Sequence, residues 1–214
     1  MLKNLIMDRI RSTKEPQVWT TRDFLDLGKR DAIDKSLQRL VSQKEIRRID
    51  RGLYDVPRIN KLTGNFEAPD YRKIIDAVSR RNQARMLIDG LTAANDLGLT
   101  NAVPGQINIL TDCRLKPITI DNLVVKFKHT APSKLYWAGR PAMRVVQALY
   151  WLRDMINSAD KNHTIEITEK IVVYLKNNPQ RQIVLDDLHQ GFATLPSWMQ
   201  TFLKSLFDYF EEKE

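Results

Sequence analysis

Residues 20–57 read TTRDFLDLGKRDAIDKSLQRLVSQKEIRRIDRGLYDVP. Thr20 or Thr21 is placed to cap a short helix whose buried side is Phe24, Leu25 and Leu27, and Gly28 closes it. Gly28-Lys29-Arg30 makes a tight turn. A second helix is expected near 31–43, capped by Asp31. Its Ile33, Leu37, Leu40 and Val41 fall on one face, with Asp34, Lys35, Gln38, Arg39 and Ser42 on the others. Ile46 and Ile49 then flank Arg47 and Arg48. Asp50-Arg51-Gly52 supplies a turn and Leu53-Tyr54-Asp55-Val56 alternates again, so a β-hairpin is expected over 45–56.

Upstream, Leu2, Leu5, Ile6 and Ile10 recur at helical spacing, and Val18-Trp19-Thr20 is a short β-prone run after Pro16. The order across residues 1–58 is therefore helix, strand, helix, turn, helix, hairpin, which is the order of a winged helix-turn-helix. In that arrangement the second helix of the pair enters the major groove and its polar side chains reach base edges. The hairpin meets phosphates or the minor groove. The candidate DNA-binding residues are Lys35, Gln38 and Arg39 on the helix, Lys29 and Arg30 at its entry, and Arg47, Arg48 and Arg51 on the wing. Asp31 and Asp34 would repel phosphate there, and serve the helix cap and dipole instead.

The charge distribution points the same way. The net charge is +8, and residues 1–58 carry 14 Lys and Arg against 9 Asp and Glu. Residues 59–145 carry 13 against 7, whereas residues 146–214 carry 7 against 10. A basic front attracts phosphate backbones in a salt-dependent way. Cys113 is the only cysteine, so no internal disulfide forms, and His129, His163 and His189 lie too far apart for a zinc site. No run approaches the ~18–20 apolar residues that span a bilayer. The charged, amphipathic start does not read as a signal peptide, and a cytoplasmic protein with no membrane partner is expected.

Beyond the hairpin, residues 58–68 read as a linker. Pro69 suits the first turn of a helix containing Ile74, Ile75 and Val78. Short strands are expected at 86–88, 107–111, 118–120 and 123–129, with a small-residue helix from Gly90 to Gly98. Gly90 and Gly98 read as turn and cap glycines, because no phosphate-binding glycine pattern surrounds them. Helical patterns follow from Pro141 to Leu152, from Ile165 to Leu175, around Val184–Leu188, and from Trp198 to Phe210. The aromatic stripe of the last belongs to a core. The expected fold is thus α+β: a winged helix-turn-helix over 1–58, and over 69–214 an α+β domain with a small sheet and a helical tail.

No catalytic set emerges. Asp186-Asp187-Leu188-His189 is the nearest cluster and reads as a solvated helix face. No catalytic residue, cofactor or metal is expected. Two alternatives stay open: a winged-helix protein-interaction module that binds no DNA, and an enzyme whose site is assembled from distant residues.

The early helices, the wing exit Arg51-Gly52-Leu53-Tyr54-Asp55-Val56-Pro57, and the stretch from Gly90-Leu91-Thr92-Ala93-Ala94 to Leu97-Gly98-Leu99 resemble the antitoxin of the AbiE abortive-infection system. The likeness covers roughly residues 1–130. It implies an antitoxin of a type IV toxin–antitoxin system that counteracts a nucleotidyltransferase-like toxin, functionally if not by direct contact. It also implies autorepression through winged-helix binding to repeated sequences in the protein's own promoter, double-stranded DNA being the ligand. The resemblance links the C-terminal part to antitoxicity and maps the DNA contacts to residues 29–51.

Overall fold

Ile33, Leu37 and Leu40, spaced for one helix face, are fully buried. They anchor the first of two compact units in an α+β fold. The computed structural model describes residues 2–158 and 161–211, Lys161 by its backbone alone. One unit comprises Met1–Ala84 with Lys116–Val125, the other Arg85–Leu115 with Lys126–Glu214.

The first unit runs α1 (Leu2–Arg11), β1 (Trp19–Thr20), a 3-10 turn (Thr21–Phe24), α2 (Arg30–Ser42), β2 (Arg47–Asp50), β3 (Leu53–Asp55) and α3 (Tyr71–Asn82). β3 is the central strand of a three-stranded antiparallel sheet, between β1 and β2. Trp19 pairs with Tyr54 and Thr20 with Leu53 on one side. Arg47 pairs with Asp55 and Arg48 with Tyr54 on the other, and the register shifts before Asp50 pairs with Leu53. The core joins Ile6, Met7 and Ile10 of α1 to Trp19, Phe24, Ile46, Tyr54 and the apolar face of α2. Leu5 turns outward and is half exposed.

Several local expectations change. Residues 20–28 hold a single 3-10 turn, Thr21–Phe24, with Thr20 as its N-cap, and no helix closed by glycine. The Asp23 carboxylate accepts from the Thr20 amide at 2.7 Å and the Thr20 hydroxyl at 3.0 Å, capping the start of the turn. Gly28 is not left-handed. Helix α2 starts one residue early, with Lys29 as its N-cap and Asp31 inside the first turn, where a negative charge suits the helix dipole. Its end is a Schellman motif: the Glu45 amide donates to the Leu40 carbonyl and the Lys44 amide to that of Val41, both at 3.0 Å. Lys44 occupies the left-handed position of that motif, at φ 60°.

Residues 58–67, expected as an irregular linker, fold into a small hairpin. The Glu67 amide donates to the Arg58 carbonyl and the Asn60 amide to that of Asn65, both at 2.8 Å. The Asn60 side chain accepts from the amides of Leu62 and Thr63, which forces the turn. Helix α3, capped by Asp70, belongs with the first unit. The Arg80 guanidinium donates to the Val18 carbonyl at 3.1 Å, tying α3 to the chain just before β1. The division therefore falls elsewhere than the loop between residues 58 and 69.

The second unit holds β4 (Met86–Ile88), α4 (Gly90–Asp96), β5 (Gln106–Thr111), the end of β7 (Leu123–His129), α5 (Met143–Trp151), α6 (Arg153–Ile156), α7 (Lys161–Asn177), α8 (Arg181–Gly191) and α9 (Ser197–Glu211). β6 (Ile118–Ile120) and the start of β7 go with the first unit. β4 pairs antiparallel with β5 in the second unit, and β6 with the start of β7 in the first. Gly98 caps α4 at φ +68°. Gly90 opens α4 and does more than turn the chain. A Cβ there would stand 2.6 Å from the Trp151 Cβ and 2.7 Å from the Gln147 carbonyl, so its bare backbone lets α4 lie against α5. Phe202, Leu203, Leu206, Phe207 and Phe210 of α9 are buried as a core stripe. No helix among the described residues is long and apolar enough to cross a membrane.

Because a side chain in the left-handed region costs about 1–2 kcal/mol, Lys44→Gly is expected to stabilise the protein by about 0.5–1 kcal/mol. Urea denaturation followed by circular dichroism checks it.

Candidate nucleic-acid interface

Helix α2 presents Asp31, Lys35, Gln38, Arg39 and Ser42 to solvent, all exposed and set three or four residues apart along one side. The opposite side carries the buried Ile33, Leu37 and Leu40. Lys29 is exposed just ahead of the helix. Arg30 is also exposed and lies 3.7 Å from Asp34 one turn on. Asp34 is held further by the Thr21 hydroxyl at 3.1 Å, which joins the 3-10 turn to α2.

Strands β2 and β3 form the expected hairpin, turned by Arg51 and the left-handed Gly52 at φ +69°. Residues along β2 alternate between half-buried and exposed, so the two adjacent arginines face opposite ways. The guanidinium of Arg47 grips the Asp55 carboxylate with Nε at 3.0 Å and Nη2 at 2.6 Å. Its Nη1 donates to the Glu67 carbonyl at 2.9 Å. The hydrogen bonding to Asp55, with its charge, holds the Arg47 proton more tightly than usual. Arg47 is thus fully engaged inside the fold. Arg48 is exposed, with one long bond of 3.4 Å from Nε to the Asp50 carbonyl. Arg51 is exposed at the tip.

The helix and the hairpin are joined through Tyr54. Burial pushes its phenol pKa up, and Arg48 and Asp34 are the charges that act on it. Tyr54 lies in the core cluster that also holds Ile33, Leu37 and Leu40 of α2. Among the described residues, Lys29, Lys35, Arg39, Arg48 and Arg51 make no ion pair. Their charges are available to an external anion.

Other expected features resolve differently. The Asp186–His189 cluster is a solvated face only in part: Asp186 and His189 are exposed, whereas Asp187 and Leu188 point inward. Asp187 is buried, with its carboxylate 2.6 Å from Arg140 and accepting from the Ala142 amide at 3.0 Å. His189 stacks on Phe207 with ring centroids 3.8 Å apart. No group of three or more His, Cys, Asp or Glu residues able to hold a metal occurs among the described residues.

Comparison with known proteins places the chain in a family. A family model described as a family of unknown function, DUF6088, matches residues 5–183. The chain belongs to DUF6088. No curated protein matches it. In this DUF6088 member the matched span begins inside α1, takes in α2 and the β2–β3 hairpin, and ends within α8. Helix α9 lies outside it.

The two wing arginines should separate in a stability assay. Arg47→Gln strands a nearly buried Asp55 carboxylate and is expected to cost about 1–3 kcal/mol. Arg48→Gln, on the outer face, should change stability by less than about 0.5 kcal/mol. Urea midpoints of the two variants against wild type measure the difference.

Proposed function

We propose that this protein binds double-stranded DNA through a winged helix-turn-helix formed by the N-terminal part of its first unit. Helix α2 enters the major groove, and the β2–β3 hairpin is the wing. The carrying observation is the row Lys35, Gln38 and Arg39 on the solvent side of α2, beside a wing whose Arg48 and Arg51 are exposed and unpaired among the described residues. Lys and Arg read guanine and contact phosphates, and Gln reads adenine. Lys29 and Arg30 at the helix entry act on the phosphate backbone. Arg47 serves indirectly, by holding the wing through Asp55.

The resemblance to AbiE-type antitoxins extends this reading. The ligand is the protein's own promoter region, and the protein is a cytoplasmic autorepressor and antitoxin of a type IV system. The partner it counteracts is a nucleotidyltransferase-like toxin.

Lys35→Glu with Arg39→Glu is expected to weaken binding to the duplex upstream of the gene at least tenfold in fluorescence anisotropy, with an unchanged circular dichroism spectrum. Unchanged affinity would remove α2 as the recognition helix. For the antitoxin role, co-expression with the product of the adjacent gene should restore growth that this product alone arrests. An adjacent product without toxicity, or toxicity that persists on co-expression, would refute it.

A further inference from the structure

We propose that Arg22, Arg51 and Arg81 form a phosphate-binding site at the wing tip, making α3 a third element of the DNA interface. The proposal deepens the DNA-binding reading and rests on it.

The three residues come from the 3-10 turn, the wing tip and the last turn of α3. Arg81 Nη1 donates to the Arg51 carbonyl at 3.0 Å, fastening the tip of the wing to α3. The backbone at Gly52 packs closely at the same point. A Cβ there would stand 3.8 Å from Arg81 Nη1 and 4.0 Å from the Thr21 hydroxyl oxygen. The wing tip, the residue before Arg22 and the end of α3 therefore meet in one place.

Their charges are not balanced locally. Burial and repulsion from Arg22 both loosen the hold of Arg81 on its proton, against the pull of Asp50. Among the described residues, neither Arg22 nor Arg51 makes an ion pair. The neighbouring Arg80 is different, because Asp23 lies 3.6 Å from it and the Val18 carbonyl accepts its bond. Three guanidiniums thus come together here, and the carboxylate that draws on Arg81 is that of Asp50. A phosphodiester suits this excess, since its two free oxygens accept the paired N–H groups of guanidinium forks. Arg81 is the positioning residue, and Arg22 and Arg51 supply the exposed charge. The Thr21–Asp34 hydrogen bond connects the cluster to α2, so a duplex on that helix passes the site.

The salt dependence of duplex binding tests the site. Wild type, Arg22→Gln/Arg51→Gln and a control, Lys14→Gln/Lys61→Gln, are titrated with a random-sequence 30-base-pair duplex between 50 and 200 mM salt. The control removes two exposed charges from the same unit. One phosphate contact contributes a slope of about −0.9 in log affinity against log salt. The arginine variant should lose that increment, so its affinity falls about 3.5-fold less than wild type across the range. The loss should be equal for duplexes of any sequence, and the control should keep the wild-type slope. An unaltered slope in the arginine variant overturns the site and leaves DNA binding standing. An equal loss in the control makes the effect one of net charge and also overturns the site. No duplex binding by wild type overturns this site and the DNA-binding reading together.

Discussion

The first unit depends on a carboxylate that the fold takes out of water. Strand β3 is only three residues long, yet Leu53, Tyr54 and Asp55 are all buried. Both faces of β3 are covered, so Asp55 needs a partner of opposite charge. Arg47 supplies it from the facing strand, and the same guanidinium reaches the Glu67 carbonyl beyond the hairpin. Side chains alternate along β2, so fixing Arg47 inward fixes Arg48 outward. The ion pair thereby goes with one arginine turned inward and its neighbour turned out to solvent.

The consequences spread to α2. With β3 in the centre, Tyr54 is buried in one cluster with Ile33, Leu37 and Leu40 of the helix. The helix keeps its apolar stripe in the core and its Lys35–Arg39 side in water. The wing tip is held from a third direction by Arg81. A hairpin with so short a central strand would otherwise fray, since a two-stranded hairpin alone is marginal in water.

Much of this was legible in the sequence. The periodicity of Ile33, Leu37 and Leu40 placed α2, and Asp50-Arg51-Gly52 placed the wing turn. A regular two-residue turn at Arg51-Gly52 would set Arg48 opposite Asp55; the irregularity between Arg48 and Asp50 shifts the register so that Arg47 takes that place, and nothing in the sequence marks the shift. From sequence Arg47, Arg48 and Arg51 all read as wing contacts to DNA, because composition does not distinguish adjacent residues on opposite faces. The assignment of α3 was not legible. Its link to the wing is the Arg81–Arg51 contact, and such a pairing of distant residues leaves no local pattern. The single turn at Thr20–Phe24 was hidden for a different reason. A capping pattern marks where a helix starts but not how soon it stops, and Leu25 and Leu27 mimicked a continuing apolar face. Asp187 was misread because its partners, Arg140 and the Ala142 amide, lie far along the chain.

The central claim is that α2 and the β2–β3 hairpin together form a DNA-binding surface. Amide hydrogen exchange of the full chain, with and without the duplex upstream of its gene, tests this most directly. The account predicts slowed exchange on binding over residues 29–42 and 47–54. Bound duplex with exchange unchanged in both segments, and slowed only within residues 143–211, would contradict it.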